Sequence, residues 1–175
     1  FFFFCTIIIP DLNNKKITVD FGATNCLCAD GRYRRGKIYI SYTGFAYWDS
    51  LSSVTITTSP TDSYFVDDNQ VKGTKSFINN GHNAAGHRYW SVVINGEIVK
   101  ANNQGTITWN ATRTVEWLAG EGTIQWSDDL YGVTGSANGT SSNGSSFDAT
   151  ITSQLIRTIA CQNHFLYGTF YLHVG

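Results

Sequence analysis

The sequence is poor in charge. Charged side chains make up 14% of its 175 residues, and it has no methionine and only two prolines. Ordinary soluble domains carry roughly a quarter charged residues. Here Thr, Ser, Asn and Gly take their place, a hydroxyl- and amide-rich surface suited to the outside of a cell. The formal net charge of −1 supplies no basic field, so nucleic acid is not an expected partner. Phe1–Phe4 is an apolar run but is far too short to span a membrane, and no membrane span is expected. It also lacks the charged flank and length of a signal peptide, so a mature, processed chain is expected.

Several chemistries lack their residues. There is no Gly-x-Ser-x-Gly elbow for a serine nucleophile and no glycine-rich phosphate loop. The three glutamates, Glu97, Glu116 and Glu121, form no obvious pair for glycoside hydrolysis, which needs two carboxylates facing each other. Glu116 faces a Thr-rich surface beside Trp117 and Trp126. His82 and His87, in or beside the segment 79–86, have no carboxylate between them in sequence and read as solvated loop residues. His164 and His173 have no visible partner. Asp67-Asp68-Asn69 and Trp126-Ser-Asp-Asp129 carry oxygens that suit calcium, but neither matches a known loop, and turn formation is the simpler role. No catalytic residue, cofactor or metal is expected, and the chain is not expected to be an enzyme.

What the sequence has in abundance is strand-like segments. Apolar runs are short, rich in β-branched and aromatic residues, and bounded by Asn, Asp, Gly or Ser. No window of about 11 residues shows a helical period. Strands are predicted over 5–9, 16–21, 36–43, 54–58, 64–66, 70–78, 88–95, 97–101, 106–118, 130–137, 145–159 and 165–174. Asn95-Gly96 suits a tight type I′ hairpin. Asn13-Asn14, Asp67-Asp68-Asn69, Asn79-Asn80-Gly81 and Asn143-Gly144 mark other reversals.

Segment 106–118 is the most readable. Ile107, Trp109, Ala111, Val115 and Trp117 share one face with Arg113, and Thr106, Thr108, Asn110, Thr112, Thr114 and Glu116 share the other. Arg113 on the apolar face either snorkels to an edge or pairs with a carboxylate. Phe147, Ala149, Ile151, Leu155 and Ile159 alternate similarly. The expected fold is all-β, one domain over 1–175: an antiparallel β-sandwich of about ten to twelve strands, Ig-like or jelly-roll-like.

Cys5, Cys26, Cys28 and Cys161 are expected to form disulfides, which indicate an oxidising compartment. Cys26–Cys28 would close a strained ring. Cys5–Cys26 with Cys28–Cys161 and Cys5–Cys28 with Cys26–Cys161 stay open. Zinc fits this spacing poorly. Asn110, Asn138 and Asn143 head N-glycosylation patterns, and Asp49-Ser50-Leu51 resembles a short O-glycan acceptor motif of Bacteroidota. With 14% aromatics, exposed rings that stack on sugars are expected, with Tyr47 and Trp48 the foremost candidates.

Ile17-Thr-Val-Asp-Phe-Gly22, Cys28-Ala-Asp-Gly-Arg32, Arg35-Gly-Lys-Ile38, Val71-Lys-Gly-Thr74, Ile107-Thr-Trp-Asn-Ala-Thr-Arg-Thr114, Trp126-Ser-Asp-Asp129 and Gly135-Ser-Ala-Asn-Gly-Thr140 occur in order. Together they resemble a family of uncharacterised secreted or lipoprotein β-proteins of Bacteroidota. The resemblance implies an extracellular or cell-surface location and carries no activity. Members of that family continue with a further hairpin and another cysteine, which implies a sandwich edge that this segment does not close.

The functional expectation is a non-catalytic structural subunit of a surface filament or layer whose partners are copies of itself. Residues 1–9 would act as a donor strand, with Phe1, Phe2, Phe3, Phe4, Ile7 and Ile9 at the subunit interface. A carbohydrate-binding or adhesive module that contacts glycans is the alternative.

Overall fold

The computed structural model describes residues 5–44, 49–59, 61–159, 161 and 164–175. Its strands follow the alternating segments closely: β1 (Ile7–Asp11), β2 (Lys16–Asp20), β3 (Cys26–Leu27), β4 (Tyr33–Arg35), β5 (Lys37–Tyr42), β6 (Ser53–Thr58) and β7 (Tyr64–Val66). The longer ones come later: β8 (Asn69–His82), β9 (Arg88–Val99), β10 (Thr106–Ala119), β11 (Leu130–Thr140), β12 (Ser146–Thr158) and β13 (Tyr167–Val174). The architecture is all-β and antiparallel, as expected. Its 13 strands are joined by hydrogen bonds in the order β1-β2-β5-β6-β8-β9-β10-β11-β12-β13, and a side branch β3-β4-β7 attaches to β8.

Turn chemistry explains most reversals. Asp67 and Asp68 take φ of 49° and 63° in the two-residue connection of β7 to β8, a conformation that short polar side chains tolerate. Asn143-Gly144 turns β11 into β12, with Gly144 N–H donating to the Ser141 carbonyl.

Two predicted reversals fall elsewhere. Asn95-Gly96 lies inside β9, paired on one side with Thr74 and Gly73 and on the other with Asn110 and Trp109. Partners on both edges outweigh the turn preference of the dipeptide, and the reversal occurs instead at Asn102 and Asn103, both at φ 55°. Asn79–Gly81 is likewise strand, at an irregularity in the β8–β9 register, and the chain turns over 83–87.

The registers sort the side chains cleanly. Residues directly opposite in an antiparallel pair share a face. One face carries Ile17, Ile40, Val54, Phe77, Val92, Val115 and Val133 together with their neighbours two residues away. The other carries Ser41, Thr55, Ser76, Thr112, Ser136 and Thr150.

The apolar face curls inward. Ile38 on β5 and Phe147 on β12 line one hollow, yet six strand spacings would part them by about 29 Å on a flat sheet. The two halves of the sheet therefore face one another in a sandwich-like way across the apolar side. Trp90, Val92, Ala111, Val133 and Leu155 are buried there. The closure is incomplete. The accessible surface is 11242 Å², whereas a compact monomer of 19.3 kDa exposes about 8,500 Å².

Candidate functional site

The apolar face opens into a trough of about 430 Å³ lined chiefly by Ile38, Ile56, Ile94, Ile98, Ile107 and Trp109. Glycines make its room. Gly73 pairs with Gly96, Gly96 with Trp109, and Trp109 with Gly139, so the indole has no side chain on either flank and stays 40% exposed. Strand glycines mark bends and close backbone approach, and a Cβ on Gly73 would stand 2.0 Å from the Asn95 carbonyl oxygen. A second hollow of about 470 Å³ lies on the same face, lined by Ile17, Ile40, Tyr42, Val54, Phe77 and Trp90. A third, of about 210 Å³, holds Arg113 among Ala137, Ala149, Ile151, Leu155 and Phe170.

Three cations lie along this face on β8, β9 and β10. Arg88, at the rim, donates from Nε to Glu121 Oε1 at 2.6 Å. Arg113 pairs across the strands with Val92 and Gly135, and no carboxylate meets it among the described residues. Lys75 sits opposite Ile56 and Ile94, with Nζ 4.8 Å from the centre of the Phe77 ring. Its side chain is open to solvent by area, but its ammonium stands among apolar groups. That dehydration and the nearby Arg113 charge push its pKa below the usual lysine range.

At one end of the sheet the fold gathers residues that are far apart in sequence. His82 Nε2 lies 2.9 Å from Glu121 Oε1. Glu116 accepts hydrogen bonds from Asn83 Nδ2 and, at 3.1 Å, from Gln154 Nε2, and His87 Nδ1 lies 3.2 Å from its Oε1. Burial pushes the Glu116 carboxyl up, but Gln154, His87 and Asn83 outweigh it, and its pKa lies below the usual value. Arg88 and His82 do the same for Glu121 against its own partial burial. A general acid needs a pKa near the working pH, whereas these two carboxylates are held ionised. They clamp the β8–β9 turn to β10 and to the loop after it.

The polar loops bind themselves in the same way. Asp67 Oδ1 accepts from the Tyr33 N–H at 2.9 Å. Asp68 Oδ1 accepts from Asn25 Nδ2 at 3.0 Å and from Arg35. Asp129 is buried and accepts from Trp117 Nε1 at 3.1 Å and Tyr131 Oη at 3.2 Å. These acids are engaged by protein donors.

The residues predicted from sequence scatter over the fold. Cys5 and Cys26 form a disulfide with Cα atoms 5.5 Å apart. The second bridge is a correction: Cys28 and Cys161 are free thiols. Cys28 follows β3 on the side branch and Cys161 follows β12, near the other end of the strand order. Ile7 and Ile9 are exposed on β1, which pairs with β2 of its own chain. Asn110 and Asn138 are neighbours on the polar face, and Asn143 occupies an exposed turn. Phe1, Phe2, Phe3, Phe4, Tyr47 and Trp48 lie outside the described residues.

Glu121, Asn83, Gln154 and Lys75 were not anticipated. For Lys75 a signal existed, because alternation from Val71 to Phe77 places it on the apolar face. Among the described residues no helix is long and apolar enough to cross a membrane. Comparison with known proteins gave no match to a family model, a curated protein or a solved structure.

Proposed function

We propose that this protein is a non-catalytic binding module of the extracellular space or cell surface, which holds an apolar ligand in the trough between β5 and β12. The carrying observation is the trough itself: an apolar, glycine-floored hollow left open on a sheet whose other face is polar. Its volume of about 430 Å³ falls in the range of small-molecule sites, roughly 300–1,000 Å³. The disulfide and the hydroxyl-rich surface suit an oxidising location, in keeping with the secreted and lipoprotein β-proteins of Bacteroidota that the sequence motifs resemble. The test is titration with Nile red, a neutral apolar dye. Gly96→Leu fills the trough, and the nearest atom to the new Cβ would be the Trp109 carbonyl oxygen at 3.6 Å. Saturable, blue-shifted binding that weakens about tenfold or more in the variant is expected. No saturable binding, or equal binding by Gly96→Leu, overturns the reading.

A second reading, a structural subunit of a surface filament or layer, draws on the sheet edges. β1 exposes Ile7, Ile8 and Ile9, and β13 exposes Tyr167, Phe170, Tyr171, Leu172 and Val174. No strand covers the outer edge of either among the described residues. Joining β13 of one copy to β1 of the next is a heterologous contact, which extends into a fibre if it does not close. Sedimentation velocity decides: concentration-dependent polymers lost on Ile8→Lys support it, and a monomer at all concentrations excludes it.

A further inference from the structure

Two cations that border the hollows of the apolar face, Lys75 and Arg113, have no acidic partner among the described residues, which is at odds with an apolar ligand that is neutral throughout. A charge set among apolar side chains loses hydration, and this is ordinarily offset by a counter-charge. Arg88, on the same face, has one in Glu121. Lys75 and Arg113 have no ion pair and no hydrogen bond among the described residues. The registers Lys75–Ile94–Ala111 and Phe77–Val92–Arg113 place them two strands apart, roughly 10 Å, and one pair step out of line. Lys75 borders the long trough and Arg113 the adjoining hollow. One small anion between them would meet both cations, while a chain attached to it would lie along the isoleucines toward Trp109.

We infer that the trough binds a single-chain anionic amphiphile of the fatty acid class, its carboxylate held between Lys75 and Arg113 and its alkyl chain along Ile94, Ile98, Ile107 and Trp109. This rests on the proposed trough reading and deepens it by naming the ligand class. An arginine fork matches a carboxylate in two parallel hydrogen bonds, and charge-assisted bonds of this kind are about twice as strong as neutral ones. The lowered pKa of Lys75 agrees with a site held ready for an anion, since a counter-charge would raise it again.

The experiment measures displacement of Nile red by dodecanoate and by 1-dodecanol, which share a chain and differ in the charged head. Wild-type protein is expected to bind dodecanoate about tenfold or more tighter than the alcohol. Lys75→Gln and Arg113→Gln are each expected to remove most of that preference, read as the ratio of the acid and alcohol affinities within each variant. Equal affinity for acid and alcohol overturns the inference, as does a preference that survives both substitutions together. Binding to anionic phospholipid vesicles without binding of monomeric dodecanoate also overturns it, in favour of membrane docking. If the dye binds but neither dodecyl compound displaces it, the ligand class is wrong and the trough reading stands. If the dye itself does not bind, the trough reading falls as well.

Discussion

Gly73 and Gly96 are direct partners on β8 and β9, yet alanine at each should have opposite effects. Gly73 has φ 131°, and an added Cβ would stand 2.0 Å from the Asn95 carbonyl oxygen and 2.9 Å from the Gly96 Cα. Backbone, not a movable side chain, would have to give way. A residue with a Cβ in such a conformation costs about 1–3 kcal/mol, and forcing atoms into an occupied space adds about 1–3 kcal/mol. Gly73→Ala should therefore lose about 2–6 kcal/mol. Gly96 has no positive φ, and its Cβ would meet only the Trp109 carbonyl oxygen, at 3.6 Å. Alanine there restricts the unfolded chain without straining the folded one and should add about 0.4–1 kcal/mol. Urea unfolding followed by tryptophan fluorescence measures both changes, and unaltered slopes would show that only stability moved. The reasoning fails if Gly73→Ala stays within about 1 kcal/mol of wild type, or if Gly96→Ala is as destabilising as Gly73→Ala.

Three further outcomes follow from the remaining contacts. The Glu116 and Glu121 pKa values are depressed in the fold, so their stabilisation is fully present above the unfolded value of about 4.3 and is lost as pH falls through the folded values. The melting temperature should hold from neutral pH to about 5 and then drop, and the deficit of Glu121→Gln relative to wild type should shrink over that drop; a constant deficit down to pH 3 would contradict this. The Cys5–Cys26 bridge spans 21 residues, which in the chain-entropy model is worth about 3 kcal/mol, so Cys26→Ser should lower urea stability by about that much. In the oxidised protein a maleimide should label Cys161 first and Cys28 more slowly, following their exposure; labelling of Cys5 or Cys26 would contradict the bridge.

Much of the fold was legible because strand periodicity is local. Successive side chains on a strand point to opposite faces, so Ile107 through Trp117 announce an apolar side, and the Thr residues between them a polar one, before any partner is known. The same rule, applied from Val71 to Phe77, places Lys75 beside Arg113's face. The turn preference of Asn95-Gly96 is overridden because the preference of a dipeptide is weak against a strand pairing on each side. The short strands β3 and β4 carry too few residues to show alternation.

The rim cluster could not be read in advance. His82 and Glu121 lie 39 residues apart, and Glu116 and Gln154 lie 38 apart. Their meeting depends on the register of β8 through β12 and on where its irregularities fall. The cysteines show the same limit: spacing excluded one pairing, but geometry alone joined Cys5 to Cys26 and left Cys28 and Cys161 free.

The sequence by itself determined the strand-dominated class, the two-faced character of the long strands and the absence of a recognisable catalytic motif, because each depends on residue type and a two-residue period. The tertiary structure alone decided that the apolar side would curl into an open trough, that Lys75 and Arg113 would stand there with no carboxylate among the described residues, and that Arg88 would find one. Those outcomes depend on which strands pair, in what register and how far the sheet bends. These are set by contacts between residues far apart in the chain, which no local pattern encodes.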